Sequence, residues 1–169
     1  DTNTFRPLEE KSLPGRILFV GRFTKQKNLI SLIDAVSMLP ETHLSLIGSG
    51  ELKKEIAQYC QKRLGDRGSL YGNVPNELLP IELNRSDIFI LPSHYEGNPK
   101  SLLEAMSCGA PIICSNTPAM PETCQEAAIY FDPKNTEEMA EKIELLINDE
   151  DLRKSLSRKS LERVKELPD

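Results

Sequence analysis

The sequence predicts a single doubly wound, Rossmann-like α/β domain, with a mostly parallel sheet and helices on both faces. Three observations support this fold class. Short apolar or β-branched runs alternate with longer amphipathic stretches from residue 16 to the C-terminus, as they do in βαβ units. Several of the short runs are apolar on both faces, which is typical of central parallel strands. At 169 residues, the chain also has a common length for one domain.

Six short apolar runs are the expected strands, and most of them end at Gly, Pro or Ser. They cover residues 17–20, 43–47, 69–71, 88–91, 112–114 and 128–131. Apolar residues at helical spacing also predict helices. These fall around residues 29–36, 102–106 and 139–147. Residues 151–167 form an expected terminal helix, and residues 1–15 an expected hinge-like lead-in to one domain over 1–169.

The composition argues against nucleic-acid binding and against a membrane-spanning function. The chain has 21 basic and 26 acidic residues, a formal net charge of −5, and no block rich in Lys and Arg. Its apolar runs are too short to cross a bilayer, and its first residues do not resemble a signal peptide. The expected location is the cytoplasm, with peripheral association at the inner face of the membrane left open for the full-length protein.

The cysteines are expected to be reduced, structural thiols, because they form no Cys-x-x-Cys pair and lie in or beside apolar segments. They are Cys60, Cys108, Cys114 and Cys124. No cluster of His, Cys and Asp has zinc-like spacing, and the acidic run at residues 149–151 lies between two helices as an expected solvated junction. Ser93 has neither a Gly-x-Ser-x-Gly setting nor a His partner, so we expect neither a metal site nor a serine nucleophile.

The loop after the first strand concentrates positive charge at the start of a helix. It runs from Gly21 through Arg22 and Lys27 to Asn28, which is a candidate N-cap residue. A diphosphate needs fixed cations and backbone N–H donors; Arg22 can donate to two oxygens, while Lys27 supplies a mobile charge. Gly21 would let the chain approach a ligand closely. Taken alone, the loop is equally consistent with solvated surface charge.

The loop after the fourth strand turns into a helix through Asn98, Pro99, Lys100 and Ser101. Asn98 is the expected N-cap residue, and Pro99 the expected first residue of the helix. This arrangement leaves the backbone N–H groups of Lys100 and Ser101 free to face an anion. The second loop is therefore a second candidate phosphate contact.

Two carboxylates flank this helix start. Glu96 precedes the helix, and Glu104 lies about five residues into it, roughly 7.5 Å along the axis. A carboxylate accepts hydrogen bonds through two oxygens and so suits sugar hydroxyls. Either residue alone is also consistent with an ordinary helix acid. Because the fold brings the ends of different strands together, a cationic loop and a carboxylate loop favour one shared ligand.

These motifs resemble the C-terminal domain of family 4 retaining glycosyltransferases of the GT-B fold. Residues 21–27, with their Gly-Arg pair and later Lys, resemble the family's diphosphate-binding element. Residues 96–104 resemble its E-x7-E motif, and residues 104–111 are a typical continuation of that motif. Glycine turns at residues 48–50 and 72–74 fall where the family has them.

The resemblance covers residues 1–167 and implies roles for individual side chains. Arg22 and Lys27 would bind the diphosphate of the donor. Glu96 would contact the transferred sugar, and Glu104 the ribose. The donor would be a nucleoside-diphosphate sugar, such as a UDP- or GDP-sugar, with no separate cofactor. Transfer would retain the anomeric configuration, and the two cations with a helix N-terminus would stabilise the departing diphosphate without a metal.

The resemblance also implies backbone contacts to the donor, with one departure from the family's pattern. Groups around Asn73 and Val74 would lie near the nucleobase. The commoner Glu-Gly-Phe-Gly start of the motif is replaced here by a segment with Pro99, which has no N–H and so removes one backbone donor. That contact would fall to the amides of Asn98, Lys100 and Ser101.

The GT-B fold has two domains that face each other across a cleft, and this chain resembles one of them. Residues 1–7 resemble the junction between the two. The acceptor, a saccharide, lipid or other molecule, would bind through the N-terminal domain, which is expected to be absent from these residues. We therefore expect donor binding with little transfer by this chain alone. The alternative is a non-catalytic nucleotide- or phosphate-binding α/β module.

Overall fold

The structure is a computed structural model that describes residues 4–8 and 13–168. Within these residues, the strands are β1 Leu13–Val20, β2 His43–Ile47, β3 Gly68–Tyr71, β4 Ser86–Leu91, β5 Ile112–Ser115 and β6 Ala128–Phe131. The helices are α1 Leu29–Ser37, α2 Lys53–Leu64, α3 Leu79–Arg85, α4 Lys100–Ser107, α5 Ala119–Cys124, α6 Thr136–Ile147 and α7 Glu150–Glu166. Short 3-10 turns precede α1, β3 and β6.

The strands form one parallel sheet in the order β3-β2-β1-β4-β5-β6. Parallel strands are joined by right-handed crossovers, so the helices after β1 and β2 cover one face and those after β4 and β5 cover the other. The packing agrees, because α1 contacts α2 and α6, whereas α4 contacts α3 and α7. The predicted doubly wound fold is confirmed. The strand order reverses between β1 and β4, which places a crevice beyond the carboxyl ends of these two strands.

The predicted strands are all present, but β1 and β4 begin earlier than the apolar pattern indicated. Their added residues include polar side chains that are buried with partners. Arg16 donates from Nε to Ser45 Oγ at 3.1 Å, and its Nη2 lies 2.5 Å from Glu82 Oε2. Asp87 accepts a hydrogen bond from the Gly15 N–H at 2.8 Å. These partners allow charged groups inside a strand that the periodicity of apolar residues cannot reveal.

The core lies on both faces of the central strands. Strands β4 and β5 are buried at every position, as expected for the middle of a parallel sheet. All four cysteines are buried and free, in agreement with the structural role expected from the sequence. Burial raises the pKa of the Cys108 thiol to about 12, so this group stays protonated and unreactive at neutral pH.

Helix α7 begins at Glu150, one residue before its predicted start, and packs against α4 and α6. The acidic run of residues 149–151 caps and begins this helix, and all three residues are exposed at the junction with α6, as predicted. Asp149 caps the helix by accepting from the Leu152 N–H at 2.9 Å, and Glu150 pairs with Lys154 at 3.3 Å. Of the predicted lead-in, residues 1–3 and 9–12 lie outside the described residues. The described part is held by α3, where Asn84 accepts from the Leu8 N–H at 2.8 Å.

Candidate functional site

The loops after β1, β2 and β3 are bonded to one another at the carboxyl edge of the sheet. The Gly21 N–H donates to Ile47 O at 3.0 Å, and the Gly48 N–H donates to Gly72 O at 2.9 Å. Gly48 has a φ of +138°, and a Cβ atom there would lie 1.8 Å from Gly21 O. Only glycine fits at this position. The close approach of these loops fixes the shape of the edge on which a ligand would rest.

A cleft of about 470 Å³ opens between these loops. Its lining includes Gly21, Arg22, Gly48, Glu51, Asn73 and Val74. Four residues that the sequence placed near the diphosphate or the base therefore share one cleft. Arg22 is exposed there. Gly21 has a packing role of its own, because a Cβ at this position would lie 2.9 Å from the ring of Phe19.

Lys27 and Glu96 lie outside this lining and form a partly buried ion pair between the loops after β1 and β4. Lys27 Nζ is 2.5 Å from Glu96 Oε2, and the side chains are 17% and 6% exposed. Ser93 donates its hydroxyl to the same carboxylate oxygen at 2.7 Å. Within the described part of the chain, no donor is bonded to Glu96 Oε1. The sequence predicted the loops and the two charges, and the structure brings these charges together at the crevice where the strand order reverses.

Asn28 does not cap α1 with its side chain, which corrects the expectation from the sequence. Its φ of +61° is left-handed, and its side chain makes no capping hydrogen bond. Instead the amide donates to Pro92 O at 3.0 Å and to Pro133 O at 2.9 Å. The buried amide satisfies both of its donors this way, so Asn28 ties together the segments that follow β1, β4 and β6.

Gln26 makes two further bonds between the loops after β1 and β4. Its carbonyl accepts from the His94 N–H at 2.9 Å, and its side-chain amide donates to Tyr95 O at 2.9 Å. These contacts lie directly beside Glu96. The local sequence pattern does not indicate this role of Gln26, because it does not show which carbonyl the side chain will reach.

Helix α4 begins at Lys100 with Pro99 as its N-cap residue, so the predicted start at Asn98 and Pro99 is wrong by one residue. Pro99 has φ −77° and ψ 78°, the geometry of an inverse γ-turn. Across that turn, the Lys100 N–H donates to Asn98 O at 2.8 Å and is not free for an anion. The Ser101 N–H has no backbone partner among the described residues. The Asn98 N–H also has no backbone partner there, so of the three predicted amide donors this conformation leaves those of Asn98 and Ser101 available.

Glu104 lies in the middle of α4 and is half-buried. Burial raises the pKa of its carboxyl group, and the nearby charge of Lys100 partly offsets this rise. No hydrogen bond or ion pair joins Glu104 to Lys27 or Glu96 among the described residues. The two carboxylates of the predicted motif thus occupy separate environments.

Ser93 makes a contact with Glu96 that the sequence did not predict. The sequence pattern argues only against a serine nucleophile at this position, yet Ser93 is fully buried and donates to Glu96. Ser93 lies two residues after β4 and three residues before the carboxylate, and only the turn between them shows that the two side chains meet. Over residues 4–8 and 13–168, no three His, Cys, Asp or Glu side chains converge as potential metal ligands. No helix in that part of the chain is both long and apolar enough to cross a bilayer.

Comparisons with known proteins bear on the family and the fold of the chain. A sequence profile of the family described as glycosyl transferases group 1 matches residues 1–163. The chain is 33% identical over 161 residues to the O-antigen chain mannosyltransferase B of Escherichia coli. That alignment covers 90% of this chain and 42% of the relative, so the chain spans less than half of that protein's length.

Solved structures provide two further comparisons. The chain superposes on the C-terminal domain of a glycosyl transferase group 1 family protein from Francisella tularensis with a TM-score of 0.85 and 26% identity, over 98% of this chain and 96% of that one. It also superposes on Anabaena HepE in complex with UDP-glucose, with a TM-score of 0.86 and 19% identity, over 98% and 50% of the two chains. The second likeness is one of fold.

Proposed function

We propose that this chain, which belongs to the glycosyl transferases group 1 family and has the fold of a GT-B C-terminal domain, binds a nucleoside-diphosphate sugar at the carboxyl edge of its sheet. The observation that carries the proposal is the partly buried pair of Lys27 and Glu96, in which Lys27 belongs to the same loop as Arg22, a residue of the cleft. A cation for a phosphate and a carboxylate for a sugar are thereby placed next to each other.

The diphosphate is bound by Arg22 and Lys27. Arg22 is exposed at the cleft and can donate to two phosphate oxygens. Lys27 lies five residues further along the same loop, and its long side chain can turn from Glu96 toward a phosphate. Negative charge grows on the diphosphate as the glycosidic bond breaks, so fixed cations stabilise the transition state more than the ground state. In this proposal they do so without a metal.

Glu96 binds the sugar through its carboxylate oxygen Oε1. Oε2 already accepts from Lys27 and Ser93, so Oε1 is the oxygen that can accept from a sugar hydroxyl. These two donors also lower the nucleophilicity of the carboxylate, which favours an orienting role over covalent catalysis. We also propose that transfer retains the anomeric configuration of the sugar, because the chain resembles retaining glycosyltransferases.

The nucleoside occupies the cleft and the start of α4. Asn73 and Val74 line the cleft, where their backbone groups can contact the base, and Glu104 accepts from the ribose hydroxyls. The amides of Asn98 and Ser101 are available for a phosphate oxygen, and the Lys100 amide contributes once its bond to Asn98 O opens. Anabaena HepE, which shares this fold, was solved with UDP-glucose, and this supports the class of donor.

The acceptor binds through a part of the enzyme outside these residues. The chain covers only 42% of its E. coli relative, and the open carboxyl edge is where a second domain would face it. Transfer by the full-length enzyme, in the cytoplasm or at the inner face of the membrane, is part of this proposal.

Titration calorimetry of the chain with UDP, GDP, ADP and a sugar form of each tests the proposal. At least one nucleoside diphosphate should bind, and Arg22→Ala should weaken its binding by about tenfold or more, because a bidentate charge-assisted contact is lost. Lys25→Ala is the matched control, since Lys25 is an exposed cation of the same loop and should leave binding unchanged. Equal losses in the two variants, or binding of inorganic phosphate alone, would contradict the proposed site.

A further inference from the structure

One oxygen of the Glu96 carboxylate is held by two donors. Lys27 Nζ lies 2.5 Å and Ser93 Oγ 2.7 Å from Oε2. The Glu96 side chain is 6% exposed, and Ser93 is fully buried. A buried carboxylate fixed in this way cannot rotate about its last torsion without breaking a charge-assisted hydrogen bond. The direction of Oε1 is therefore set before any ligand arrives.

We propose that Ser93 is a positioning residue, which holds Glu96 Oε2 so that Oε1 alone faces the sugar of the donor. The inference rests on the proposed function of Glu96. It predicts that the Ser93 hydroxyl contributes to recognition of the sugar and not of the nucleoside diphosphate.

The two donors to Oε2 differ in what happens when a donor molecule binds. Lys27 carries a charge that a diphosphate will attract, so its bond to Glu96 weakens as the phosphates arrive. The Ser93 hydroxyl is neutral and buried, two residues after the end of β4. Because it carries no charge, the diphosphate does not draw it away from Oε2 when the donor molecule binds. Ser93 therefore keeps the carboxylate oriented while Lys27 is shared with the phosphates.

The loop after β1 fixes the backbone on both sides of Ser93. The residue before it, Pro92, accepts from the Asn28 amide at 3.0 Å. The residue after it, His94, donates to Gln26 O at 2.9 Å. With both neighbours bonded, the hydroxyl has a defined direction. A positioning residue needs a fixed conformation, because Ser93 can orient Glu96 only if its own backbone and hydroxyl are held in place.

The test compares each nucleoside diphosphate with its sugar form by titration calorimetry. For the donor that the wild-type chain binds, Ser93→Ala should reduce affinity for the sugar form by about tenfold and change affinity for the nucleoside diphosphate by less than about twofold. Ser93→Thr, which keeps the hydroxyl, should restore most of the loss. Ser115→Ala is the matched control, because Ser115 is a fully buried serine at the end of the next strand, with its hydroxyl 3.4 Å from Leu91 O.

The possible results separate this inference from the proposed function. An equal loss for both ligand forms would show that Ser93 only supports the loop and would overturn the positioning role, as would no loss for either form. A wild-type chain that binds no nucleoside diphosphate would overturn the proposed function first and the inference with it. If Ser93→Ala did not fold, Ser93→Cys, which is nearly isosteric and a weak donor, would carry the same comparison.

Discussion

Two partly buried ion pairs, one toward each end of the sheet, have similar geometry and hold different kinds of structure together. Toward the amino end, Arg16 Nη2 is 2.5 Å from Glu82 Oε2 and joins β1 to α3. At the carboxyl edge, Lys27 Nζ is 2.5 Å from Glu96 Oε2 and joins two loops. Neither distance nor burial separates a structural pair from a functional one here. The position in the fold does, because ligands of this fold bind at the carboxyl edge.

The freedom of the cation also differs between the two pairs. Arg16 is level with His43, the first residue of β2, and it also donates to Ser45, so its guanidinium is held at two points. Its Nη1 is buried without a partner among the described residues. Lys27 is held at one point at the end of a flexible stem and is more exposed. A cation that can turn toward a ligand suits binding, and a cation fixed in a strand suits stability.

The largest effect is expected from Arg16→Met. Met preserves much of the apolar volume, but Glu82 and Ser45 lose their shared donor, and removing one partner of a buried pair costs roughly 3 kcal/mol or more. The free energy of unfolding, measured by urea denaturation, should fall by about this amount. Nucleoside diphosphate binding by the folded chain should not change, because the pair lies away from the carboxyl edge.

Lys154→Met is the control for this variant. Lys154 and Glu150 are 64% and 69% exposed, so their pair should contribute less than about 0.5 kcal/mol. If the two variants lost similar amounts of stability, the pair of Arg16 and Glu82 would not be the structural element that its burial indicates.

A smaller effect on stability, with a large effect on binding, is expected from Glu96→Gln. The amide oxygen still accepts from Lys27 and Ser93, and Lys27 can move into water, so the free energy of unfolding should fall by only about 1 kcal/mol. Affinity for the sugar form of the donor should fall by about tenfold, because the charged acceptor for the sugar hydroxyls is gone. Denaturation and calorimetry on the same sample measure both quantities. A stability loss equal to that of Arg16→Met, with binding intact, would make both pairs structural.

The sequence was sufficient for the fold and for the two loops, because periodicity and turn residues are local and the carboxyl-edge rule needs only the strand order. It was insufficient for contacts between loops. Asn28 follows the local pattern of an N-cap, but its amide meets two carbonyls that come within reach only when the ends of β1, β4 and β6 lie at the same edge of the sheet. The bond from Ser93 to Glu96 was missed for a different reason. A serine three residues before a glutamate is common, and only the buried turn after β4 brings the two groups together.

The smallest expected effect is on the pH dependence of stability, through His43 and the cations near it toward the amino end of the sheet. Burial lowers the pKa of His43, and the charges of Arg16 and Arg67 lower it further. In the unfolded chain the pKa of His43 is about 6.5. At lower pH the unfolded state therefore binds more protons at His43 than the folded state does, so the free energy of unfolding decreases as the pH falls through this range. The urea midpoint should decrease between about pH 7.5 and about pH 5.5, and His43→Gln should reduce the decrease. Arg16→Met should reduce it as well, since that variant removes one of the two charges. A pH dependence identical in all three proteins would mean that the cation at the amino end does not act on His43, and the ion pair there would then stabilise only the contact between β1 and α3.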